Sequence, residues 1–259
     1  MAYEFISYEK KDRVAWITIN RPDVMNALHP PANLELSAAW DDFAADPECW
    51  VAVLTGAGEK AFSAGNDLKF TAQHGTKGIT LGSGGFGGIT ARFDLYKPTI
   101  AAVNGFALGG GFELALACDL IVAAEHVRFG LPEPRVGLAA LAGGVHRLPR
   151  QIPSKLAMGM LLTGRQITAA EAHAVGLVNE VVPAAELASA AARWAATILE
   201  CSPTSVRATK QAAMDGLGLP LADAMGCSYP LIGSLFQSED MMEGVVAFTQ
   251  KRKPQWKGR

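Results

Sequence analysis

The chain has 259 residues, the size of one large domain or of one domain with a small appendage. Hydrophobic residues make up 49% of it, so a sizeable core can form, and the formal net charge is −2. This balance argues against a nucleic-acid partner, because phosphate binding needs an excess of Lys and Arg. No signal peptide is evident, and the apolar stretches fall short of the roughly 20 residues that cross a bilayer. We expect a cytoplasmic protein that binds no membrane.

Metal chemistry has no support in the cysteine and histidine positions. The four cysteines lie far apart without a C-x-x-C pair, and the five histidines include no H-x-x-x-H pair. Such spacing is typical of reduced thiols and of ordinary surface or core histidines. The sequence also lacks a P-loop and a G-x-S-x-G nucleophile motif. We therefore expect no metal site.

In chain order, the first part alternates strands with helices. Runs of β-branched and apolar residues predict strands at 5–9, 14–20, 50–55, 100–103 and 120–123. Helical patterns occupy residues 34–43 and 108–118. The run at 50–55 is fully apolar, which is typical of a strand buried on both faces of a parallel sheet. This alternation predicts an α/β fold.

Beyond about residue 150 the chain becomes rich in alanine. Residues 186–199, 205–217 and 221–236 have high helix propensity and few strand signals. We divide the chain into an α/β core, residues 1–200, and a C-terminal helical region, residues 201–259, that serves oligomerisation. An apolar helical tail commonly packs against another subunit, so we expect a homo-oligomer.

Residues 74–88 contain seven glycines and predict a flexible loop, of the kind that can cover a cleft. Residues 82–87 formally match G-x-G-x-x-G. No strand precedes the match, and no acidic residue follows at the spacing that contacts a ribose. A dinucleotide site is therefore excluded.

Three segments carry the candidate chemistry: residues 61–69, 104–115 and 129–134. The second opens a helix with three glycines, 109–111, although each costs about 1 kcal/mol relative to alanine in a helix. Bare N–H groups at a helix start suit a developing negative charge. Glu113 follows one turn later, and Glu133 stands between Pro132 and Pro134. Singly, the glycines are explained by tight packing and each glutamate by a surface or capping role; their joint occurrence favours a catalytic site.

With these segments, the chain resembles the enoyl-CoA hydratase/isomerase (crotonase) superfamily over almost its whole length. The similar segments include residues 17–22 with 26–28, 62–69, 104–115, 129–133 with 143–148, 162–179, and 243–253. The resemblance implies a spiral of ββα repeats with a C-terminal helical trimerisation region. It also implies a homotrimer or a hexamer built as a dimer of trimers. The substrate would be an acyl-CoA thioester, with coenzyme A as part of the substrate and no other cofactor.

The resemblance assigns roles to particular residues. The backbone N–H groups of Asn66 and Gly110 would form the oxyanion hole, and Glu113 and Glu133 would be the acid/base pair. The two glutamates are twenty residues apart, which is the family's hydratase spacing. The remaining substrate and coenzyme A contacts expected from the resemblance are Ala27, Ala64, Asp67, Leu68, Lys69, Gly109 and Pro132, together with Phe248 and Lys251 from a neighbouring subunit.

The leading interpretation is a hydro-lyase of the 2-enoyl-CoA hydratase type (EC 4.2.1.17-like). A carnitinyl-CoA dehydratase-like enzyme, or another crotonase-type lyase or isomerase, is the first alternative. A non-catalytic acyl-CoA-binding protein is the second, although mere binding needs no pair of glutamates. Asn66 replaces the family's common alanine, so its side chain is expected near the acyl pocket. Ala140 and Leu141 replace a common Pro-Gly, which predicts a reshaped pocket floor.

Overall fold

The computed structural model describes residues 3–75 and 81–259. Within these ranges ten strands form two sheets. The strands are β1 (Ile6–Lys11), β2 (Val14–Ile19), β3 (Val51–Gly56), β4 (Ala61–Ser63), β5 (Thr99–Val103), β6 (Phe106–Leu108), β7 (Leu120–Ala124), β8 (Arg128–Gly130), β9 (Gln166–Thr168) and β10 (Glu180–Val182). The larger sheet has the order β1-β2-β3-β5-β7-β10, and the smaller has the order β4-β6-β8-β9.

From β3 to β8 the strands alternate between the two sheets. The pairs β3 and β4, β5 and β6, and β7 and β8 each give one strand to the larger sheet and the next to the smaller. The first pair leads into α2 (Leu68–His74), the second into α3 (Gly110–Ala117), and the third, through a short 3-10 turn, into α4 (Gly144–Gln151). Neighbouring strands of these pairs run parallel. The predicted α/β spiral of ββα repeats is confirmed.

The strand β3, at the centre of the larger sheet, is buried on both faces, as the apolar run at 50–55 predicts. Because successive side chains of a strand point to opposite faces, Val51 and Val53 face one side of β3 while Ala52 and Leu54 face the other. The helix α7 (Leu187–Leu199) covers the first side through Leu187, Ala190, Ala191 and Ala195. The second side joins the main core, which includes residues of the segments predicted to carry the chemistry.

The remaining helices within the described ranges are α1 (Pro30–Ala45), α5 (Ser154–Thr163), α6 (Ala169–Ala174), α8 (Pro203–Gly216), α9 (Leu221–Gly226), α10 (Pro230–Leu235) and α11 (Glu239–Thr249). The stretch 221–236, which has high helix propensity, contains two helices, because α9 ends at Gly226 and α10 begins at Pro230. Proline has no N–H to donate within a helix and its ring clashes with the preceding turn, so it begins a helix readily and interrupts one.

The glycine-rich segment is only partly described, since residues 76–80 lie outside the described ranges. At its far end, residues 86–88 are buried in a 3-10 turn. The Gly87 N–H donates to the Asn33 side chain at 2.7 Å, and Trp40 Nε1 donates to the Gly87 carbonyl at 3.1 Å. This end of the segment is therefore buried against α1, whereas its glycines predicted a flexible loop.

None of the helices that the structure describes has the length and apolar character needed to cross a membrane. Among residues 3–75 and 81–259, His, Cys, Asp and Glu side chains form no group of three or more that is arranged to hold a metal ion.

Candidate active site

The segments that follow β4 and β6 bring two unpaired backbone donors together. Neither the Asn66 N–H nor the Gly110 N–H donates a hydrogen bond to another described residue. Gly65 precedes Asn66 with a φ of +86°, and a Cβ built on Gly65 would lie 2.6 Å from the Gly110 nitrogen. Only glycine fits there, because both the backbone angle and the space exclude a side chain. Asn66 and Gly110 thus border one small space, as an oxyanion hole requires.

The three glycines at the start of α3 have distinct structural reasons. Gly109 has φ +55° and ψ −129°, a conformation that is essentially restricted to glycine. A Cβ on Gly110 would lie 2.5 Å from the Phe86 ring, and one on Gly111 would lie 2.0 Å from the Ser63 carbonyl oxygen. The same three glycines therefore allow close packing and leave the Gly110 N–H without a hydrogen-bond acceptor among the described residues.

Glu113 lies one turn into α3 and is only 3% exposed. Its Oε1 accepts a hydrogen bond of 2.8 Å from the backbone N–H of Gly144, at the start of α4. Burial raises the pKa of Glu113 to about 7, and the nearby Glu133 adds to the rise while the Gly144 hydrogen bond opposes it. A carboxyl group with a pKa near neutrality is suited to proton transfer at neutral pH.

Glu133 begins a 3-10 turn that spans Glu133–Val136. Its Oε2 is buried and has no hydrogen-bond partner among the described residues, and burial raises its pKa above the ordinary value. A Cβ on Gly109 would lie 3.1 Å from Glu133 Oε1, so this carboxyl borders the same space as the oxyanion segment. An unsatisfied buried polar atom costs about 1–3 kcal/mol, a cost that a bound ligand or water can remove.

One cavity of about 1290 Å³ connects these groups. It is large enough for a sizeable ligand. The predicted site residues that line it are Ala64, Asn66, Leu68, Gly109, Gly110, Glu113, Pro132 and Glu133. The three segments that the sequence analysis singled out, which are distant in the chain, therefore meet at one cavity in the structure.

Comparison with known proteins identifies the family. Residues 9–259 match the model of the enoyl-CoA hydratase/isomerase family. The chain belongs to this family. It is 42% identical to (E)-benzylidenesuccinyl-CoA hydratase of Thauera aromatica over 253 residues, 98% of this chain and 99% of the relative. It is 44% identical to carnitinyl-CoA dehydratase of Salmonella arizonae over 248 residues, 93% and 94% of the two chains.

The solved structures agree with this membership. The structure of an enoyl-CoA hydratase from Mycobacterium marinum superposes with a TM-score of 0.91 at 41% identity, covering 98% of this chain and 99% of that one. An enoyl-CoA hydratase from Mycobacterium tuberculosis gives a TM-score of 0.90 at 40% identity, covering 98% and 99%. The resemblance drawn from the sequence motifs is thereby confirmed at the level of family and fold.

Three of the coenzyme A contacts expected from the family, Ala27, Asp67 and Lys69, are not among the residues that line the cavity. Arg21 links two of them, since its guanidinium donates to the Ala27 carbonyl and to Asp67 Oδ2, the latter at 3.1 Å. Asp67 also caps α2 by accepting from the Phe70 N–H at 3.1 Å. Lys69 is exposed on α2. The contacts of these three residues with coenzyme A remain predictions.

The C-terminal region contributes to the cavity in an unexpected way. Phe248 is 85% exposed and Lys251 is exposed, and neither lines the cavity of its own chain. Their contact with coenzyme A, which the family resemblance places on a neighbouring subunit, remains a prediction. The end of α8 instead lines the cavity of its own chain, through Met214, Leu217 and Gly218.

Asn66 lines the cavity, and its side chain is held in place by a hydrogen bond. Its Nδ2 donates to Thr71 Oγ1 at 2.9 Å, across the first turn of α2. This contact fixes the position of the side chain, and its place near an acyl pocket remains a prediction.

Sequence reasoning missed the structural roles of Phe86, Gly144 and Arg147. Phe86 packs on Gly110, and its place in a glycine-rich stretch gave no sign of burial. Gly144 and Arg147 lie in a segment that the family resemblance includes, but no spacing rule connects them to Glu113. The contact from Gly144 to Glu113 spans 31 residues, and it exists because α4 begins at the carboxyl group.

Proposed function

We propose that the protein is a hydro-lyase that adds water across the 2,3 double bond of a 2-enoyl-CoA thioester, or removes it in the reverse direction. The observation that carries this proposal is the pair Glu113 and Glu133 on one cavity beside two unpaired backbone N–H groups. Both carboxyls have pKa values raised by burial. Water addition needs both a base and an acid, and the pair supplies them.

In the proposed mechanism the thioester carbonyl oxygen accepts hydrogen bonds from the N–H groups of Asn66 and Gly110. These donors stabilise the negative charge that develops as the thioester becomes an enolate. Removing one donor of this type typically costs about 10²–10³ in rate. The stabilisation acts on the transition state more than on the ground state, which is what accelerates the reaction.

The proton transfers are divided between the glutamates. Glu113 orients the water and takes its proton as the water oxygen bonds to Cβ. Glu133 delivers its proton to Cα, and the proton on Glu113 then restores Glu133 through water or directly. The addition is balanced, because one water yields a hydroxyl on Cβ and a hydrogen on Cα.

The pair is expected to work while it holds one proton. We predict a bell-shaped dependence of kcat/KM on pH. The rate falls toward acid as the pair binds a second proton, and it falls above about pH 7 as the pair loses the one proton that the two carboxyls share. Steady-state kinetics between pH 5 and 9 measure this dependence. A flat profile through pH 7 would count against the assigned proton pair.

The reaction itself is tested with crotonyl-CoA by the loss of enoyl-thioester absorbance. We expect turnover in the parent protein. Binding of several enoyl-CoAs without turnover of any would favour a non-catalytic acyl-CoA-binding protein. Turnover confined to double-bond migration would favour the isomerase alternative.

The identity of the acyl group is a separate question. The name of one relative specifies a benzylidenesuccinyl group, which carries a carboxylate, and that of another a carnitinyl group, which carries a quaternary ammonium. A carnitinyl-CoA dehydratase-like activity is therefore the second candidate function. Kinetics with polar acyl-CoAs of either charge distinguish it from hydration of simple enoyl-CoAs.

We also propose that the protein forms a homotrimer or a hexamer. Large apolar side chains are exposed on and after the tail helices, including Leu221, Met225, Phe236 and Phe248. Exposed apolar clusters of this kind commonly mark subunit interfaces. Sedimentation velocity measures the assembly, and a monomer at micromolar concentration would contradict the proposal.

A further inference from the structure

The cavity has an unusual charge pattern on the side formed by α4. Its lining includes Arg135, His146, Arg147 and Arg150. The acidic residues of the lining are Glu113 and Glu133, whose pKa values are raised by burial. The cavity wall thus presents three guanidinium groups and no acidic side chain beyond the reacting pair.

These guanidinium groups lack acidic partners. Among the described residues, none of Arg135, Arg147 and Arg150 forms an ion pair, whereas Arg21, Arg92, Arg165, Arg193 and Arg252 each do. Arg147 is half-buried; its Nη2 donates to the Thr90 carbonyl at 2.9 Å and its guanidinium lies 5.7 Å from the Phe93 ring centre. A half-buried cation that forms no ion pair is a ready partner for an anionic ligand.

The geometry places these cations at the acyl end of the cavity. The helix α4 begins at Gly144, where it donates to Glu113, and Arg147 follows one turn later. Arg150 lies three residues further along the same helix, and residues three apart share a helix face. In the proposed mechanism the thioester carbonyl of the substrate lies between Asn66 and Gly110, and its Cβ lies at Glu113. Acyl atoms beyond Cβ would then extend along α4 toward Arg147 and Arg150.

The wall around this end is otherwise apolar. Phe93, Leu138 and Leu141 line it with exposed side chains. Leu141 is one of the two residues that replace the family's common Pro-Gly, so the departure noted in the sequence lies in this wall. An apolar wall with cations at one end suits an acyl group that has a hydrocarbon body and a negative charge.

We infer that the preferred acyl group carries a carboxylate beyond Cβ, bound by Arg147 and Arg150. This inference rests on the proposed hydration activity. The same cations would repel a quaternary ammonium, so they disfavour a carnitinyl-type acyl group. A charge-assisted hydrogen bond to a carboxylate distinguishes it from a neutral group by about 10- to 100-fold.

The test compares two six-carbon substrates, 2,3-dehydroadipyl-CoA with a terminal carboxylate and 2-hexenoyl-CoA without one. We expect the parent to have the higher kcat/KM for the carboxylate substrate. The variants Arg147→Gln and Arg150→Gln should lower the ratio of the two kcat/KM values by about 10-fold or more. The ratio cancels any general effect of Arg147 on the nearby Glu113. Arg165→Gln, at an exposed arginine paired with Glu171 outside the cavity, is the matched control and should leave the ratio unchanged.

The outcomes separate this inference from the proposed function. If the parent hydrates neither substrate, nor crotonyl-CoA, the proposed function fails. If it hydrates 2-hexenoyl-CoA equally well or better, hydration stands and the carboxylate inference is wrong. An equal loss of both activities in the arginine variants would also overturn it, because that result indicates contact with the coenzyme A phosphates that both substrates share.

Discussion

Replacing Glu113 with glutamine is expected to remove most of the hydration activity while making the folded protein more stable above pH 7. The activity falls because glutamine cannot take a proton from water, and such losses are typically about 10²–10⁴-fold. Glutamine retains the size of the side chain and an oxygen that can accept from the Gly144 N–H. The loss of rate would therefore reflect proton transfer rather than a collapsed site.

The gain in stability follows from the direction of the pKa change. Burial raises the pKa of Glu113 to about 7 from an ordinary 4.5, so the folded state favours the protonated form. The protonated Glu113 side chain contributes its full share to the free energy of unfolding below pH 4.5, the pKa in the unfolded chain. This contribution is lost as the pH rises through about 7, the pKa in the folded protein. Removing the charge should recover roughly 3 kcal/mol at pH 8 and little near pH 4.5.

Chemical denaturation at pH 5 and pH 8, at one fixed protein concentration, measures this difference. Glu125→Gln, which removes an exposed carboxyl outside the cavity, is the control and should change neither rate nor stability. Near-normal hydration by Glu113→Gln would refute the assigned base. A variant no more stable than the parent at pH 8 would refute the raised pKa.

Replacing Gly65 with alanine should disable the oxyanion hole through the backbone. The added Cβ would lie 2.6 Å from the Gly110 nitrogen and 2.9 Å from the Leu108 carbonyl oxygen. Both neighbours are backbone atoms, so one of the two segments must shift. Loss of a single oxyanion donor predicts a fall in kcat of about 10²–10³.

Gly176→Ala provides the matched control for this variant. Gly176 has φ +78°, close to the +86° of Gly65, but a Cβ there would meet nothing within 4 Å. Both variants should lose about 1–3 kcal/mol of stability from the strained backbone angle. Only Gly65→Ala should also lose activity with crotonyl-CoA. Equal activity in the two variants would show that the Gly65 contact does not hold the donors in place.

The sequence predicted the long strands, and the family resemblance paired Asn66 with Gly110, but no strand of the smaller sheet was predicted. The strands β1, β2, β3, β5 and β7 have five or six residues each and show clear apolar runs. The strands β4, β6, β8 and β9 have three residues each, too few for a periodic pattern to appear. The sequence pattern therefore did not distinguish these strands from loops, although β4 and β6 lead directly into the segments that carry Asn66 and Gly110.

The candidate site was predictable where a local pattern marked it. The glycines 109–111 and the proline-flanked Glu133 break ordinary composition rules, and the family resemblance then assigned their roles. The hydrogen-bond partner of Glu113 was not predictable in this way, because Gly144 reaches it through tertiary packing. Pro230 is a local signal for the break between α9 and α10, but the helix propensity of the stretch 221–236 did not reveal that break.

The end of α8 forms part of the cavity wall through Met214, Leu217 and Gly218. The same helix is tied to the α/β core, since Lys210 Nζ donates to Asp119 Oδ2 at 2.7 Å and to the Lys97 carbonyl at 3.0 Å. A fragment that ends at residue 200 would therefore lose one side of the cavity as well as the helices that we propose for subunit assembly. Anyone grafting or recombining parts of related enzymes should exchange α8 together with the catalytic segments, because it belongs to the same functional module.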